Sequence, residues 1–318
     1  MKKILGVLFV IFLISCNKED KKEKEIANIP VNVTVNRFDK AFANATPKDL
    51  PKLKSTYPYL FPKQYTDSVW VTKMNDTLQQ EINNEVEKKF SNFSTEKEAF
   101  KKLFQHIKFY NESFHSPKIV TLTNEVDYRN NVIYADGLLL IALDNYLGSQ
   151  HKFYEVIPAY IAQNFEPSHM VVDAAEQIGW SMVPSNSERT FLSKIVQYGK
   201  NLYLKELFVP SKSEAEIMGY TQDKLNWTHA NEDYIWRYFI EHKLLFSTDN
   251  ELDERFLNLA PFSKFNLELD PDSPGMLGRY IGWQIVKAYM KNNDVSLQQM
   301  LEMPAEEIFN KSMYKPRK

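Results

Sequence analysis

The chain is poor in cysteine and glycine. Cys16 is the only cysteine in 318 residues, which excludes a disulfide framework and a cysteine-based zinc site. Nine glycines are too few for a glycine-rich or repetitive array. Together with an aromatic content of 14%, they favour a packed, mainly helical globule.

An excess of charge of one sign is also lacking. The formal net charge is −2, and no basic stripe with interleaved aromatic residues occurs. Nucleic acid is therefore not expected as a partner, because its recognition needs clustered cations. Neither a Gly-x-Ser-x-Gly motif nor a phosphate-binding P-loop is present, so acyl-enzyme and nucleotide chemistry have no starting point.

No apolar run is long enough to cross a bilayer. The longest one that stands out, Ile4–Ile14, has 11 residues, whereas a spanning helix needs about 20. It follows Lys2 and Lys3 and ends just before Cys16. This pattern predicts a bacterial lipoprotein signal peptide over residues 1–15, cut before a cysteine that then carries the lipid. An ordinary signal peptide or an uncleaved anchor is the alternative.

A charged segment follows the cysteine. Residues 17–25 mix lysines and carboxylates without a large apolar residue, so residues 16–30 are predicted to be a solvated tether. Their charges cancel, which argues against a polybasic membrane patch. The triplet at 18–20 is similar to the surface-export signal of Bacteroidetes lipoproteins; a charged spacer without an address is the alternative.

Residues 31–318 are predicted to form a single α+β, mainly α-helical domain, with a sheet-bearing lobe to about residue 167 and a helical lobe after it. Asp136-Gly137 between two apolar runs signals a hairpin. A small antiparallel sheet is predicted from three β-branched or apolar runs, which are Lys118–Thr123, Val132–Ala135 and Leu138–Leu143. Val31–Val35 alternates weakly and is a candidate short strand.

Helical spacing of apolar residues predicts most of the remaining elements. The predicted helices are Arg37–Ala43, Pro47–Tyr57, Asp76–Phe90, Thr95–Tyr110, 151–166, Ser187–Leu207, Glu214–Met218, Thr221–Leu245, Met276–Met290, Leu297–Glu302 and Pro304–Asn310. Ser247–Pro274 is predicted to be loop or short turns. Gly278 and Gly282 predict a flat strip on their helix, with helix packing favoured over a binding surface.

The segment 156–167 resembles the frame of a metallopeptidase without its chemistry. A helix after a strand is where a zincin-type zinc peptidase carries His-Glu-x-x-His. In that register Gln163 and Pro167 replace the two imidazoles, and Asn164 replaces the general base. We therefore predict no catalytic residue, no metal ligand and no cofactor.

Several blocks resemble a known family. They are Cys16, Ile157–Ile161 with Gln163–Pro167, Gln197–Lys200 with Tyr203, and Gly278–Val286, and they look like the gliding motility lipoprotein GldB of Bacteroidetes. The resemblance implies a cell-envelope lipoprotein needed for gliding, linked to type IX secretion, with no established enzymatic activity. A more distant similarity to predicted zinc peptidases implies a zincin-like architecture, in which Tyr198 replaces a metal-binding glutamate.

The function that this resemblance implies is binding or scaffolding of other gliding or secretion envelope proteins. A cleft between the two lobes, near Gln163, Asn164, Tyr198, Arg279 and Tyr280, is the predicted partner site. The lipid on the cysteine would anchor the chain, with the outer membrane favoured over the inner one and its face undecided.

Two alternatives stay open. One is an active zinc peptidase whose ligands lie elsewhere, and the other is a purely structural lipoprotein with a vestigial cleft. His229 with Glu232, and His169 near Asp173 and Glu176, are the histidine–carboxylate groups in the sequence. Because such pairs occur often by chance, both are assigned structural or solvated roles.

Overall fold

The computed structural model describes residues 21–185, 187–268 and 270–317. The predicted signal peptide and Cys16 lie outside these residues. The fold is α+β with 60% helix and a four-stranded sheet, which confirms the predicted class. The helices are α1 (21–27), α2 (Phe38–Ala43), α3 (Leu50–Thr56), α4 (Asp67–Asn75), α5 (Thr77–Phe90), α6 (Ser94–Tyr110), α7 (Ala159–Ala162), α8 (Met170–Met182), α9 (Phe191–Phe208), α10 (Glu214–Met218), α11 (Gln222–Glu241), α12 (Glu251–Phe256), α13 (Leu277–Asn292), α14 (Leu297–Glu302) and α15 (Ala305–Ser312).

The strands form one mixed sheet. They are β1 (Val35–Arg37), β2 (Lys118–Leu122), β3 (Val132–Ala135) and β4 (Leu138–Ala142), in the order β1-β2-β4-β3. The predicted hairpin is confirmed: Asp136 and Gly137 both have positive φ, 51° and 74°, as a two-residue hairpin turn requires. A wholly antiparallel sheet was the wrong prediction, because β2 pairs in parallel with both β1 and β4.

A hydrophobic core lies against each face of the sheet. On β2, Ile119 packs into the main core, whereas its neighbour Val120 packs into a second, smaller core, as alternation along a strand requires. The smaller core is largely aromatic and comes from α2, α3 and the turn after them; its buried members besides Val120 are Phe38, Phe42, Leu50, Leu53 and Phe61. The main core continues from the sheet into the C-terminal helices.

Helices α9 and α13 cross in near backbone contact. A Cβ atom on Gly282 would lie 1.7 Å from the carbonyl oxygen of Ile195, and one on Gly199 would lie 2.2 Å from the carbonyl oxygen of Gly282. No side chain fits in either place. The prediction that the strip on this helix serves helix packing is therefore confirmed for Gly282.

The helix predicted over 151–166 is wrong. The segment contains a 3-10 turn at Lys152–Tyr154 and the single turn α7, and the long helix of this region is α8, which the sequence did not predict. Pro158 and Pro167 explain the difference, because a proline lacks the backbone N–H and is tolerated only at the start of a helix. Each of them does stand at such a start.

The predicted tether is also wrong from residue 21 onward. Residues 21–27 form α1, and Ile26 on it is only 1% exposed. Lys22 Nζ donates to the hydroxyl of Tyr110 over 2.6 Å, and the Gln105 amide donates to the carbonyl of Ala27 over 2.8 Å. The burial of Ile26 and these hydrogen bonds hold in place a segment whose charged composition is typical of a solvated chain.

The segment Ser247–Pro274 contributes more to the core than a loop would. It contains α12, whose Leu252 and Phe256 are fully buried. Helix α4 was not predicted either, and none of its residues is fully buried. Both are short elements without a long periodic pattern, which is why periodicity alone did not reveal them.

Candidate functional site

Gln163 and Asn164 lie in the turn after α7 and hold a neighbouring loop. Both side-chain amides donate to the carbonyl oxygen of Gly219, over 2.9 and 3.0 Å. Gly219 ends α10 in the left-handed region, with φ 70°. The placement of a degenerate zinc motif on a helix here is wrong, because Gln163 and Pro167 do not share one. The two amides tie the 163–164 turn to the link between α10 and α11.

Tyr198 and Arg279 come together at the crossing of α9 and α13. The Arg279 guanidinium lies 4.2 Å from the centre of the Tyr198 ring, and the indole of Trp180 packs edge-on against the same ring at 5.2 Å. Arg279 Nε donates to the carbonyl of Leu257. Among the residues that the structure describes, its two Nη atoms have no hydrogen-bond or ion-pair partner. All three stacked side chains are half-buried.

Tyr280 points elsewhere. It is fully buried, and its hydroxyl donates to Glu232 Oε2 over 2.7 Å. Tyr280 directly follows Arg279, and successive residues of an α-helix point about 100° apart. The structure therefore brings Gln163 to Asn164 and Tyr198 to Arg279, but it separates Tyr280 from both pairs. We call the group of Glu232, Tyr280, Tyr314 and Arg317, which is centred on the buried Glu232 carboxylate, the closed cluster.

One face of α8 adds further polar side chains to the region of Tyr198 and Arg279. Asp173 Oδ2 accepts from the Tyr146 hydroxyl over 2.6 Å, and Asp173 Oδ1 lies 3.5 Å from His169 Nε2. One turn on, Glu176 Oε2 lies 2.7 Å from Lys205 Nζ on α9. We call Glu176, Tyr198, Lys205 and Arg279 the cleft cluster.

The sequence contained a signal for this face. His169, Asp173, Glu176 and Trp180 recur at spacings of four, three and four residues, as positions on one face of a helix do. The first three were noted as a histidine–carboxylate group, but without the prediction of α8 their common face was not recognised. Lys205, on α9, had no local signal, since only the packing of α8 against α9 places it beside Glu176.

The charges of the cleft cluster hold its carboxylate ionised. Burial raises the pKa of Glu176, but the ammonium of Lys205 and the guanidinium of Arg279 outweigh it and lower the pKa to about 2. Burial, with the positive charge of Lys205, lowers the pKa of His169, although Asp173 acts in the opposite direction. The imidazole is therefore neutral at pH 7, and the carboxylate is a weak base.

These groups are not arranged as metal ligands. Within residues 21–185, 187–268 and 270–317, no cluster of three or more His, Cys, Asp or Glu side chains is placed to hold a metal ion. The site offers a stacked, half-buried guanidinium beside an ion pair, and the two Nη atoms of this guanidinium have no partner in the part of the chain that the structure describes.

Comparison with known proteins decides the family. The model of the gliding motility protein GldB matches residues 19–316, which is almost the whole chain. The chain belongs to the GldB family. No curated protein and no solved structure matches it, so the zincin-like architecture stays a prediction.

Membership of the GldB family gives the cellular setting. The family is one of lipoproteins, so the chain is a membrane-anchored protein of the cell envelope with a role in gliding motility. Among the described residues, no helix combines the length and the apolar character that crossing a membrane requires.

Proposed function

We propose that this GldB-family chain is a non-catalytic envelope lipoprotein that supports gliding motility by binding a protein partner. The lipid is carried by Cys16 and places the chain in the outer membrane. The partner belongs to the gliding machinery or to the type IX secretion machinery linked to it. The surface that we assign to the partner is the cleft cluster with Trp180 beside it.

The free Nη atoms of Arg279 are the observation on which the proposal rests. The ring of Tyr198 and the carbonyl of Leu257 position the guanidinium before a partner binds. Its planar set of N–H donors therefore loses little conformational entropy on binding. Arginine, tyrosine and tryptophan are the residues that most often dominate binding energy at interfaces. A carboxylate or a backbone carbonyl on the partner would complete the hydrogen bonding of the guanidinium.

The same geometry argues against catalysis at this site. A general base for neutral pH needs a pKa near 7, whereas the pKa of Glu176 is lowered to about 2. Gln163 and Asn164 occupy positions of the resembled peptidase motif, and the side-chain amides of both donate to the carbonyl of Gly219. These contacts favour a binding role over a hydrolytic one.

Motility rescue tests the proposal. In a gliding bacterium whose own copy of this gene is deleted, Arg279→Ala should restore spreading far less well than the wild-type chain at equal abundance. Arg237→Ala is the matched control, because Arg237 also stacks on a tyrosine, Tyr234 at 5.0 Å, but on the exposed face of α11. Equal rescue by both variants would count against the cleft.

The anchor has its own test. Cys16→Ala should leave an unprocessed precursor that incorporates no labelled fatty acid and fails to rescue motility. Normal fatty-acid incorporation by this variant would show that the lipid is attached elsewhere or not through a cysteine.

A further inference from the structure

A large groove opens beside the segment that leads to Cys16. Its volume is about 1450 Å³, above the range of about 300–1,000 Å³ that is usual for small-molecule pockets. α1 and α6 form one wall, and the start of α8, the end of α9 and α10 form the other. It is separate from the cleft cluster, none of whose four members lines it.

Apolar side chains contribute to both walls of the groove. Ile26, Ala99 and Leu103 line it on one side, and Val171, Leu207 and Val209 line it on the other. Ala99 and Leu207 are half-buried in the groove, so apolar surface there is open to an occupant. A groove with such walls gains most from a ligand that removes apolar surface from water.

Three of the charged side chains on the lining are already engaged within the protein. Glu23 lies 3.2 Å from His106 Nε2, and Lys212 lies 2.8 Å from Glu216. Glu206, also on the lining, lies 3.1 Å from Lys287 Nζ. A charged peptide would gain little from these groups, whereas a hydrocarbon chain needs none of them.

The position of the groove identifies its occupant. Lys22 lines the groove and follows Cys16 by six residues, which span at most about 20 Å when fully extended. A short connection of this kind gives a tethered group an effective concentration on the order of millimolar. A lipid on Cys16 would therefore be within reach of the groove.

We propose that the groove receives an acyl chain of the lipid carried by Cys16. The inference rests on the lipidation in the proposed function and adds a second place for the anchor besides the bilayer. An acyl chain in the groove is shielded from water by the walls of α1, α6 and α9. The mature lipoprotein can then be dispersed in water while it is outside a membrane.

Photocrosslinking through the lipid itself tests this. Cells that express the full chain are fed a palmitate analogue with a diazirine and an alkyne, and the purified lipoprotein is irradiated without detergent. We expect the N-terminal lipopeptide to be crosslinked to peptides of the same chain from α6 and from the end of α9. Crosslinks only to other surfaces of the protein, or no crosslink within the chain, would overturn the inference.

Variants in the groove sharpen the test. Ala99→Trp should lower the crosslink yield about tenfold, since an indole there excludes about two methylene groups of the chain. Ala27→Trp, at an exposed position on the same groove, repeats the test where folding is not at stake. Val156→Trp is the control, because Val156 is 91% exposed and lies outside the groove. Unchanged yields in both groove variants would contradict the proposal.

The outcome also separates this inference from the proposed function. A chain labelled at Cys16 without groove crosslinks would refute the groove and leave the anchor intact. A chain without label at Cys16 would refute the lipidation and the groove together.

Discussion

Arg279 and Tyr280 are neighbours on α13, yet they belong to two clusters of opposite character. In the closed cluster, Glu232 Oε1 accepts from the Tyr314 hydroxyl and the backbone N–H of Arg317, over 2.8 and 3.2 Å, and its Oε2 accepts from Tyr280. In the cleft cluster, the two Nη atoms of Arg279 have no partner among the described residues. Two adjacent residues of α13 thus belong to different kinds of cluster. In one, the carboxylate acceptors are all occupied, and in the other, hydrogen-bond donors remain without a partner among the described residues.

The difference separates structural polar groups from those available for binding. A buried network whose acceptors are all satisfied stabilises the fold and has nothing left for a ligand. The closed cluster in this way fastens the C-terminal segment onto α11. A half-buried guanidinium that keeps free donors costs little in the folded state and has bonding capacity for a partner. Mutation of Glu232 should therefore affect folding, whereas mutation of Arg279 should mainly affect binding.

The largest effect on stability is expected in the closed cluster. Glu232→Ala would leave the buried hydroxyl of Tyr280 and the half-buried hydroxyl of Tyr314 without an acceptor, and should lower the free energy of unfolding by about 3–5 kcal/mol. Urea denaturation measures this. Glu232→Gln is the control, because it keeps one acceptor oxygen and should cost less. If Glu232→Ala lowered the free energy of unfolding by less than about 1 kcal/mol, the closed cluster would contribute no more to stability than ordinary surface interactions do.

A smaller, pH-dependent effect is expected at Glu176. Its pKa is lowered from 4.5 to about 2 in the folded chain, so the stabilisation is present above pH 4.5 and is lost as the pH falls toward 2. Glu176→Gln should cost about 2 kcal/mol at pH 7, allowing for the partial exposure of the carboxylate.

Urea denaturation of the wild-type chain and of Glu176→Gln at pH 7 and at pH 3 tests the direction of this pH dependence. The stability difference between the wild-type chain and Glu176→Gln should narrow when the pH is lowered from 7 to 3. A difference that is constant or widens over this range would mean that Lys205 does not hold the carboxylate ionised.

Arg279→Ala should affect stability least among the three substitutions. It removes a stacking contact at 4.2 Å and a hydrogen bond to the carbonyl of Leu257, each worth about 1 kcal/mol or less at a partly exposed site. Thermal melting of this variant beside Arg237→Ala should give two small, similar shifts. A much larger loss in Arg279→Ala would make Arg279 a structural residue like those of the closed cluster, and its motility defect would then not report binding.

Zinc should have no effect on stability. A metal bound to the folded chain at 100 times its dissociation constant would raise the free energy of unfolding by about 2.7 kcal/mol. We expect no shift in the melting temperature on addition of zinc or of a chelator, and elemental analysis of the purified chain should find no stoichiometric metal. Stoichiometric zinc would support the peptidase alternative.

The elements with strong local signals were predictable from the sequence. β3 and β4 with Asp136-Gly137 between them, and the long amphipathic helices α5 and α6, were predicted within a few residues of their bounds. The mixed character of the sheet was not, because pairing between β1 and β2 joins segments that are distant in sequence, and no short-range pattern records it.

The candidate site was predictable only in part. Tyr198 and Arg279 were identified from the resemblance, and the structure places them in contact. Gln163 and Asn164 were assigned to a helix that Pro158 and Pro167 prevent, and Tyr280 was assigned to a cleft from which the helical turn removes it. Lys205 could not be found, since its role depends entirely on how α8 packs on α9.

The most direct test of the binding role is crosslinking from the cleft in gliding cells. A photoreactive amino acid at Gln177, an exposed position of α8 next to Glu176, should give a specific adduct with one envelope protein. The adduct should be lost when Arg279→Ala is added and kept when Arg237→Ala is added. An adduct that is insensitive to Arg279→Ala, or the absence of any adduct from Gln177, would contradict the assignment of the cleft cluster to a partner.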